Sequence, residues 1–192
     1  MKVIDVSIKS IEDKEISLSS MDTPYVYISI LRNSLSVENI EHFMELNAHA
    51  DILYEHNIAT YVIFNDSVSE LKKKMKGFHC GFKISEHLHI IGSHDITLKS
   101  FFNLENNYNE GYDLNSIKQY LGTIEFEVLR TISESGIPSD LLFNQSQELI
   151  VSYTRKGHYN SFVVDKILHT VKVYEDDMKQ KELIKSLLLQ CC

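Results

Sequence analysis

The side chains best suited to chemistry are concentrated in one short stretch of the chain. Five potential metal ligands or nucleophiles fall within sixteen positions: His79, Cys80, His87, His89 and His94. On a strand, His87 and His89 would point to the same face with their Cβ atoms roughly 7 Å apart, close enough to share a divalent metal such as zinc. With His94 as a third ligand, this cluster would suit a metal-dependent hydrolase. The stretch contains neither Cys-x2-Cys nor His-Glu-x2-His, so the hydrolase is the alternative and not the main hypothesis.

Cys80 is the one cysteine inside the chain, since the other two, Cys191 and Cys192, are its last residues. A cysteine nucleophile needs a base nearby in space and surroundings that favour the thiolate. The adjacent His79 is no evidence of such contact, because neighbouring side chains project in different directions. The chain also lacks the Gly-x-Ser-x-Gly nucleophile elbow and the glycine-rich nucleotide fingerprints. We therefore predict no catalytic residue. In the main hypothesis the protein needs no cofactor and is not itself an enzyme.

Composition and charge exclude several classes of protein. The 192 residues are 43% apolar and 24% charged, which is typical of a globular chain, and their net charge is −8. A net acidic chain with only three arginines is poorly suited to nucleic acid. We interpret its one basic cluster, Lys72 to Lys76, as a solvated helix face. An odd cysteine count and the lack of a long apolar run predict a cytoplasmic protein that binds no membrane.

Hydrophobic periodicity predicts alternating elements in the first half of the chain. Runs of β-branched and aromatic residues predict strands, and apolar residues at helical spacing predict helices. The predicted strands are 3–8, 25–31, 59–64 and 83–91, with helices beginning after Ser36 and at Val68. This β-α-β-α-β order is typical of a mixed sheet covered by helices.

The last third predicts a different arrangement. Three strand-like runs, 148–154, 161–164 and 168–174, are separated by short polar steps and indicate an antiparallel meander. A C-terminal amphipathic helix with Leu183, Ile184, Leu187 and Leu188 on one stripe is expected to pack on this meander. The fold class is therefore predicted as α+β. We expect one domain over 1–192, the alternative being a subdivision near 106–111 into 1–105 and 112–192.

Ten tyrosines and no tryptophan suggest a protein-binding surface. Tyr108, Tyr112 and Tyr159 fall in predicted loops, where tyrosine is common at interfaces. Together with the acidic charge and the lack of catalytic motifs, they favour a non-enzymatic protein that binds another protein. Our main hypothesis is an immunity or inhibitor protein that neutralises a basic toxin or effector. The alternatives are the hydrolase built on the His79–His94 cluster and an adaptor or subunit of a larger assembly. The sequence leaves the oligomeric state open.

Overall fold

The computed structural model describes residues 8–12, 15–16, 23–31, 37–64, 66–77, 83–92, 139–146, 148–154 and 163–190. The chain divides into two compact units, residues 1–159 and 160–192. In the first unit the strands are β1 (Ile8–Lys9), β2 (Glu15–Ile16), β3 (Tyr25–Leu31), β4 (Ile58–Phe64), β5 (Leu88–Gly92), β6 (Ser139–Asn144) and β7 (Leu149–Thr154). Its described helices are α1 (Val37–Glu55) and α2 (Val68–Gly77), and the second unit contains α3 (Val163–Gln190). The predicted boundary near 106–111 lies outside the described residues.

The main sheet has five strands in the order β5-β4-β3-β6-β7. Strands β3, β4 and β5 are parallel, whereas β6 and β7 continue the sheet in antiparallel fashion. The parallel strands are joined through α1 and α2, as crossover connections require. The predicted α+β class with a mixed sheet is therefore confirmed.

A small hairpin covers the outer edge of β5. Strands β1 and β2 pair antiparallel, and Ser10 then forms an isolated antiparallel bridge with Ile91. The amide of Ile11 also donates a 3.0 Å hydrogen bond to the carbonyl of Ile90. Backbone groups of β5 that would otherwise be unpaired are therefore satisfied by this segment.

Helix α1 packs on the sheet through one stripe. Leu46, Ala50 and Leu53 are fully buried, and Phe43 meets Phe64 edge to face at 5.7 Å between ring centroids. The stripe follows the spacing i, i+3 or i+4, which keeps these residues on one helix face.

The end of α1 is fixed by Asn57, which has φ = 60°. Asparagine adopts this left-handed conformation more readily than most residues and commonly ends a helix there. The Asn57 amide donates to the Tyr54 carbonyl at 2.9 Å, and its carbonyl accepts from the Tyr25 amide at 3.2 Å. The turn thus joins the end of α1 to the start of β3.

The predicted meander is wrong in its second and third strands. The run 148–154 corresponds to β7, but its hairpin partner is β6, and both 161–164 and 168–174 fall in or overlap α3. The buried residues Val164, Ile167 and Val171 are three and four positions apart, which is the spacing of one helix face. This spacing outweighs the preference of the individual β-branched residues for strands.

Three of the four residues in the predicted apolar stripe of the C-terminal helix are exposed. Leu183, Ile184 and Leu187 are 60%, 57% and 53% exposed, whereas the buried Val164, Ile167 and Val171 lie in the first half of α3. Elsewhere in α3, Lys181 donates a hydrogen bond to Asp177. This hydrogen bond and the negative charge of the carboxylate raise the pKa of Lys181. No helix in the described parts of the chain is long and apolar enough to cross a bilayer.

Candidate functional site

Three polar side chains meet in the buried layer between α1 and the sheet. The Oγ of Ser29 lies 3.2 Å from Nε2 of His42, and the same nitrogen is 3.6 Å from Oδ1 of Asp140. Ser29 and His42 are 0% exposed and Asp140 is 1% exposed. We call these three residues the buried polar cluster.

Sheet register places the cluster. Ser29 in β3 and Asp140 in β6 are directly paired across adjacent strands, so their side chains share one face of the sheet. His42 reaches that face from the second turn of α1, and Glu45 follows one turn later with Oε2 4.0 Å from its Nδ1. The imidazole is therefore flanked by carboxylates from both the sheet and its own helix.

The residue types of the cluster resemble those of a hydrolytic triad, but the geometry does not. In a triad the serine and the acid meet opposite nitrogens of the histidine, whereas Ser29 and Asp140 here approach the same Nε2. All three side chains are also shielded from solvent, so a substrate cannot reach the hydroxyl. The cluster is thus suited to fixing α1 on the sheet and not to nucleophilic catalysis.

Residues 83–88 are fastened to the second half of α1. Asn47 donates from Nδ2 to the Lys83 carbonyl at 3.1 Å and accepts from the Ser85 amide at 2.9 Å. The Ser85 hydroxyl donates to Asp51 at 2.6 Å, and the ring of His87 stacks on Tyr54 at 3.9 Å. These contacts hold the segment that leads into β5.

The predicted metal ligands lie against different aromatic rings. His87 precedes β5 and stacks on Tyr54 of α1, whereas His89 stacks on Tyr61 of β4 at 5.0 Å. Phe64 contacts Phe43 of α1 and therefore lies on the helix-covered face of the sheet. Residues three apart on a strand point to opposite faces, so Tyr61 lies on the other face. The expectation of one shared face assumed a strand through His87, and β5 begins only at Leu88.

The remaining predicted site residues fall in parts of the chain that the structure does not describe. His79, Cys80, His94, Tyr108, Tyr112 and Tyr159 lie outside the described residues. Within the described ranges, no three or more histidine, cysteine, aspartate or glutamate side chains are grouped to hold a metal ion. A metal site that includes His94 stays a prediction, as does partner binding by the three tyrosines.

Helix α2 carries the basic cluster and has a well-defined start. The Ser67 hydroxyl accepts from the Glu70 amide at 3.2 Å, and the Glu70 carboxylate accepts from the Ser67 amide at 3.1 Å, which is a capping box. Lys74 pairs with Asp66, just before the helix. Leu71 is buried, whereas Lys73 and Lys76 are exposed, which agrees with the predicted solvated face.

The capping box gives a direct test of local stability. We expect Ser67→Ala to lower the free energy of unfolding by about 1 kcal/mol, because the amide of Glu70 loses its acceptor. Urea unfolding would measure the loss. Ser69→Ala, which removes a 3.1 Å contact with the Ser67 hydroxyl but leaves the capping box in place, is the comparison and should cost less; equal losses would show that the cap contributes little.

Comparison with known proteins identifies the fold. No protein-family model and no curated protein matches the chain. Among solved structures, the reduced Plasmodium vivax 2-Cys peroxiredoxin has a TM-score of 0.56 at 16% identity, covering 93% of this chain and 99% of that one. A cysteine-to-serine mutant of Xanthomonas campestris peroxiredoxin Q also has 0.56, at 12% identity with 90% and 92% covered. A secreted disulfide oxidoreductase from Mycobacterium tuberculosis has 0.50, at 7% identity with 88% and 96% covered.

These neighbours correct the functional hypothesis. They are redox proteins of thioredoxin-like fold, which contradicts the prediction of an immunity or inhibitor protein. They are also named neither as hydrolases nor as adaptors, the two alternatives. The prediction failed because an acidic charge and missing motifs describe many folds equally well, and neither constrains chemistry. The sheet order and its helices therefore give this chain a thioredoxin-like fold.

Proposed function

We propose that the protein carries out thiol–disulfide exchange, with Cys80 as its reactive thiol. The proposal is carried by one observation: Cys80 lies in the most basic segment of an acidic chain. Residues 71–85 contain five lysines and no aspartate or glutamate. Positive charge near a cysteine favours the thiolate, which is the nucleophilic form. The redox neighbours of the fold support this class of chemistry.

The other junctions of the sheet offer no thiol. A thioredoxin-like redox motif is Cys-x-x-Cys near a βαβ unit. Residues 32–36, between β3 and α1, read Arg-Asn-Ser-Leu-Ser, and residues 65–67, between β4 and α2, read Asn-Asp-Ser. A dithiol at either junction is therefore excluded by the sequence, and Cys80 is the one cysteine in the unit formed by residues 1–159.

The terminal cysteines are less favourable nucleophiles. Cys191 directly follows the last residue of α3, where the negative end of the helix dipole disfavours a thiolate. Cys80 also follows a helix, but the exposed Lys76 in the last turn of α2 opposes that effect. These differences favour Cys80 as the thiol that reacts first.

The lysines nearest to Cys80 in the sequence flank it on both sides. Lys76 stands four residues before it, in the last turn of α2, and Lys83 stands three residues after it, with its carbonyl bound by Asn47 of α1. Both lysines are exposed, and positive charge near a cysteine favours the thiolate.

The chemistry needs only thiols. The Cys80 thiolate attacks one sulfur of a disulfide, the S–S bond breaks, and a mixed disulfide forms while the other sulfur leaves as a thiolate. The thiolate of an external low-molecular-weight thiol of the glutathione class then attacks the substrate sulfur of the mixed disulfide, forms a new disulfide with it and releases Cys80 as a thiolate. A reducing, cytoplasmic location supplies that thiol, and no cofactor is required.

The test compares single-site variants on a disulfide substrate. With oxidised glutathione, mass spectrometry of the wild type should show a mixed disulfide on Cys80. Cys80→Ser should abolish the glutathione-dependent reduction of hydroxyethyl disulfide, and the Cys191→Ser/Cys192→Ser double variant should retain it. Full activity in Cys80→Ser, or a Cys80 no more reactive than free cysteine, would overturn the proposal. Oxidation of Cys80 by hydroperoxide but not by disulfide would also overturn the proposed exchange.

A further inference from the structure

One side of α3 carries a repeat of exposed residues. Its members follow one another at alternating steps of four and three residues: Val173, Asp177, Gln180, Ile184 and Leu187. We call these five residues the α3 outer face. Val173 follows the buried Val164 by nine residues, or two and a half helical turns, so the outer face lies opposite the buried side of the helix.

The spacing of the outer face is that of a helix that packs against another helix. Alternating steps of three and four residues keep side chains on the seam between two paired helices. The three apolar members stand at the ends of the repeat and are each more than half exposed, Val173 by 54%. A second helix along this face would remove their hydrocarbon surface from water.

The charge of this part of α3 favours a second copy of the chain over a charged partner. Residues 172–187 contain four lysines and four acidic residues, so their net charge is zero although the whole chain carries −8. A neutral surface has no net attraction for a strongly basic or strongly acidic protein. Two copies can meet along it without the net repulsion expected between their other, acidic surfaces.

The order of the charges indicates how the two helices run. Three of the four acids stand at 175–177, and three of the four lysines stand within 179–185. Parallel helices in register would place acids beside acids, whereas antiparallel helices place the acids of each copy beside the lysines of the other. Charge complementarity therefore favours the antiparallel arrangement.

Ion pairs within α3 are compatible with this arrangement. Lys179 pairs with Asp176 at 3.9 Å, and Lys181 pairs with Asp177 at 2.6 Å. All four side chains are more than half exposed. Because a carboxylate accepts several hydrogen bonds and an ammonium group donates three, each can contact the second copy and keep its present partner.

We propose that α3 pairs antiparallel with α3 of a second copy, about a two-fold axis between positions 178 and 179. In this register Val173 faces Ile184 of the second copy and Asp177 faces its Gln180, so apolar residues meet apolar ones and polar residues meet polar ones. The two-fold axis makes each contact occur twice. The outer face is only about 21 Å long, so we expect a reversible dimer with a micromolar dissociation constant.

The pairing does not depend on the thiol chemistry proposed above, so its test uses the full chain with Cys80→Ser/Cys191→Ser/Cys192→Ser. Analytical ultracentrifugation across micromolar concentrations should show a monomer–dimer equilibrium. Ile184→Glu should raise the dissociation constant about tenfold or more, because it places two charges in the apolar part of the seam. A chain that is monomeric at every concentration would overturn the proposal.

Met178→Glu is the matched control, since it adds the same charge at another exposed apolar residue of α3. Met178 is 40% exposed and lies one residue beyond Asp177, outside the repeat of the outer face. This variant should weaken the dimer far less than Ile184→Glu, and circular dichroism would confirm that both keep their helices. Equal weakening in the two variants would show a response to charge alone and overturn the proposal.

Cross-linking tests the direction of the two helices. In the same cysteine-free background, a Val173→Cys chain would be mixed with an Ile184→Cys chain and treated with oxidised glutathione. The antiparallel dimer should give a disulfide between position 173 of one chain and position 184 of the other. Preferred disulfides between like positions would indicate parallel helices and overturn the proposed arrangement. Binding of a monomeric chain to phosphatidylcholine vesicles, abolished by Ile184→Glu, would assign the outer face to lipid and also overturn it.

Discussion

Replacing Asp140 with alanine should lower the free energy of unfolding by about 1–3 kcal/mol, the usual cost of leaving a buried polar group without its partner. The carboxylate lies 3.6 Å from the His42 imidazole, and both groups are almost completely shielded from water. Its loss leaves a cavity beside a polar ring that solvent cannot reach. Urea unfolding followed by circular dichroism would measure the difference.

Two further variants make the interpretation specific. Glu41→Ala, at the exposed position next to His42 in α1, should change stability by less than about 0.5 kcal/mol. The double variant His42→Leu/Asp140→Leu should recover most of the loss, because apolar residues of suitable volume can replace a buried pair at little cost. If the double variant is as unstable as the sum of its single changes, the two side chains do not stabilise each other.

Adding a side chain at Gly92 should also be costly. A Cβ at this position would lie 2.7 Å from the Asp66 carbonyl oxygen and 2.8 Å from the Val68 amide nitrogen, and both are backbone atoms. Because the start of α2 would have to move, we expect Gly92→Ala to cost about 1–3 kcal/mol and Gly92→Val more. Thermal or urea unfolding would rank the two. If Gly92→Ala were as stable as the wild type, the backbone between β4 and α2 would be able to move at little cost in free energy.

Local pattern was sufficient for the centre of the sheet. Strand β3 and the strand predicted at 59–64, which corresponds to β4, are rich in β-branched and aromatic residues. Both strands are buried on both faces, so their sequences are almost continuously apolar and show no helical spacing. It was insufficient for α3, where residues such as Val164 and Val171 favour a strand individually but repeat at helical spacing. It also missed β6, in which only three residues are apolar and the polar Ser139 and Asp140 come first, as in a loop.

The buried polar cluster could not be predicted from the sequence. Ser29, His42 and Asp140 come from β3, α1 and β6, and no short-range pattern connects them. Only the register between β3 and β6 places the serine and the aspartate side by side. The polar residue within each strand was the available signal, because a buried polar side chain requires a partner.

The fold relationship was equally hidden. Similarity to the redox neighbours lies at 7–16% identity, and the junctions of the sheet carry serine and asparagine in place of a Cys-x-x-Cys motif. With the motif absent, composition and spacing could not point to thiol chemistry. The arrangement of strands was needed before the lysines near Cys80 in the sequence could support a proposal of thiol chemistry.

The hairpin along β5 affects how this protein reaches its native state. The segment around Ser10 and Ile11 is synthesised well before its pairing partners Ile90 and Ile91. Until they meet, β5 presents an apolar strand with an unpaired edge, the kind of surface through which chains join edge to edge. A chain shortened past Glu12 would keep that edge open permanently. Such a chain should form soluble aggregates or fibres at concentrations where the intact protein stays monodisperse.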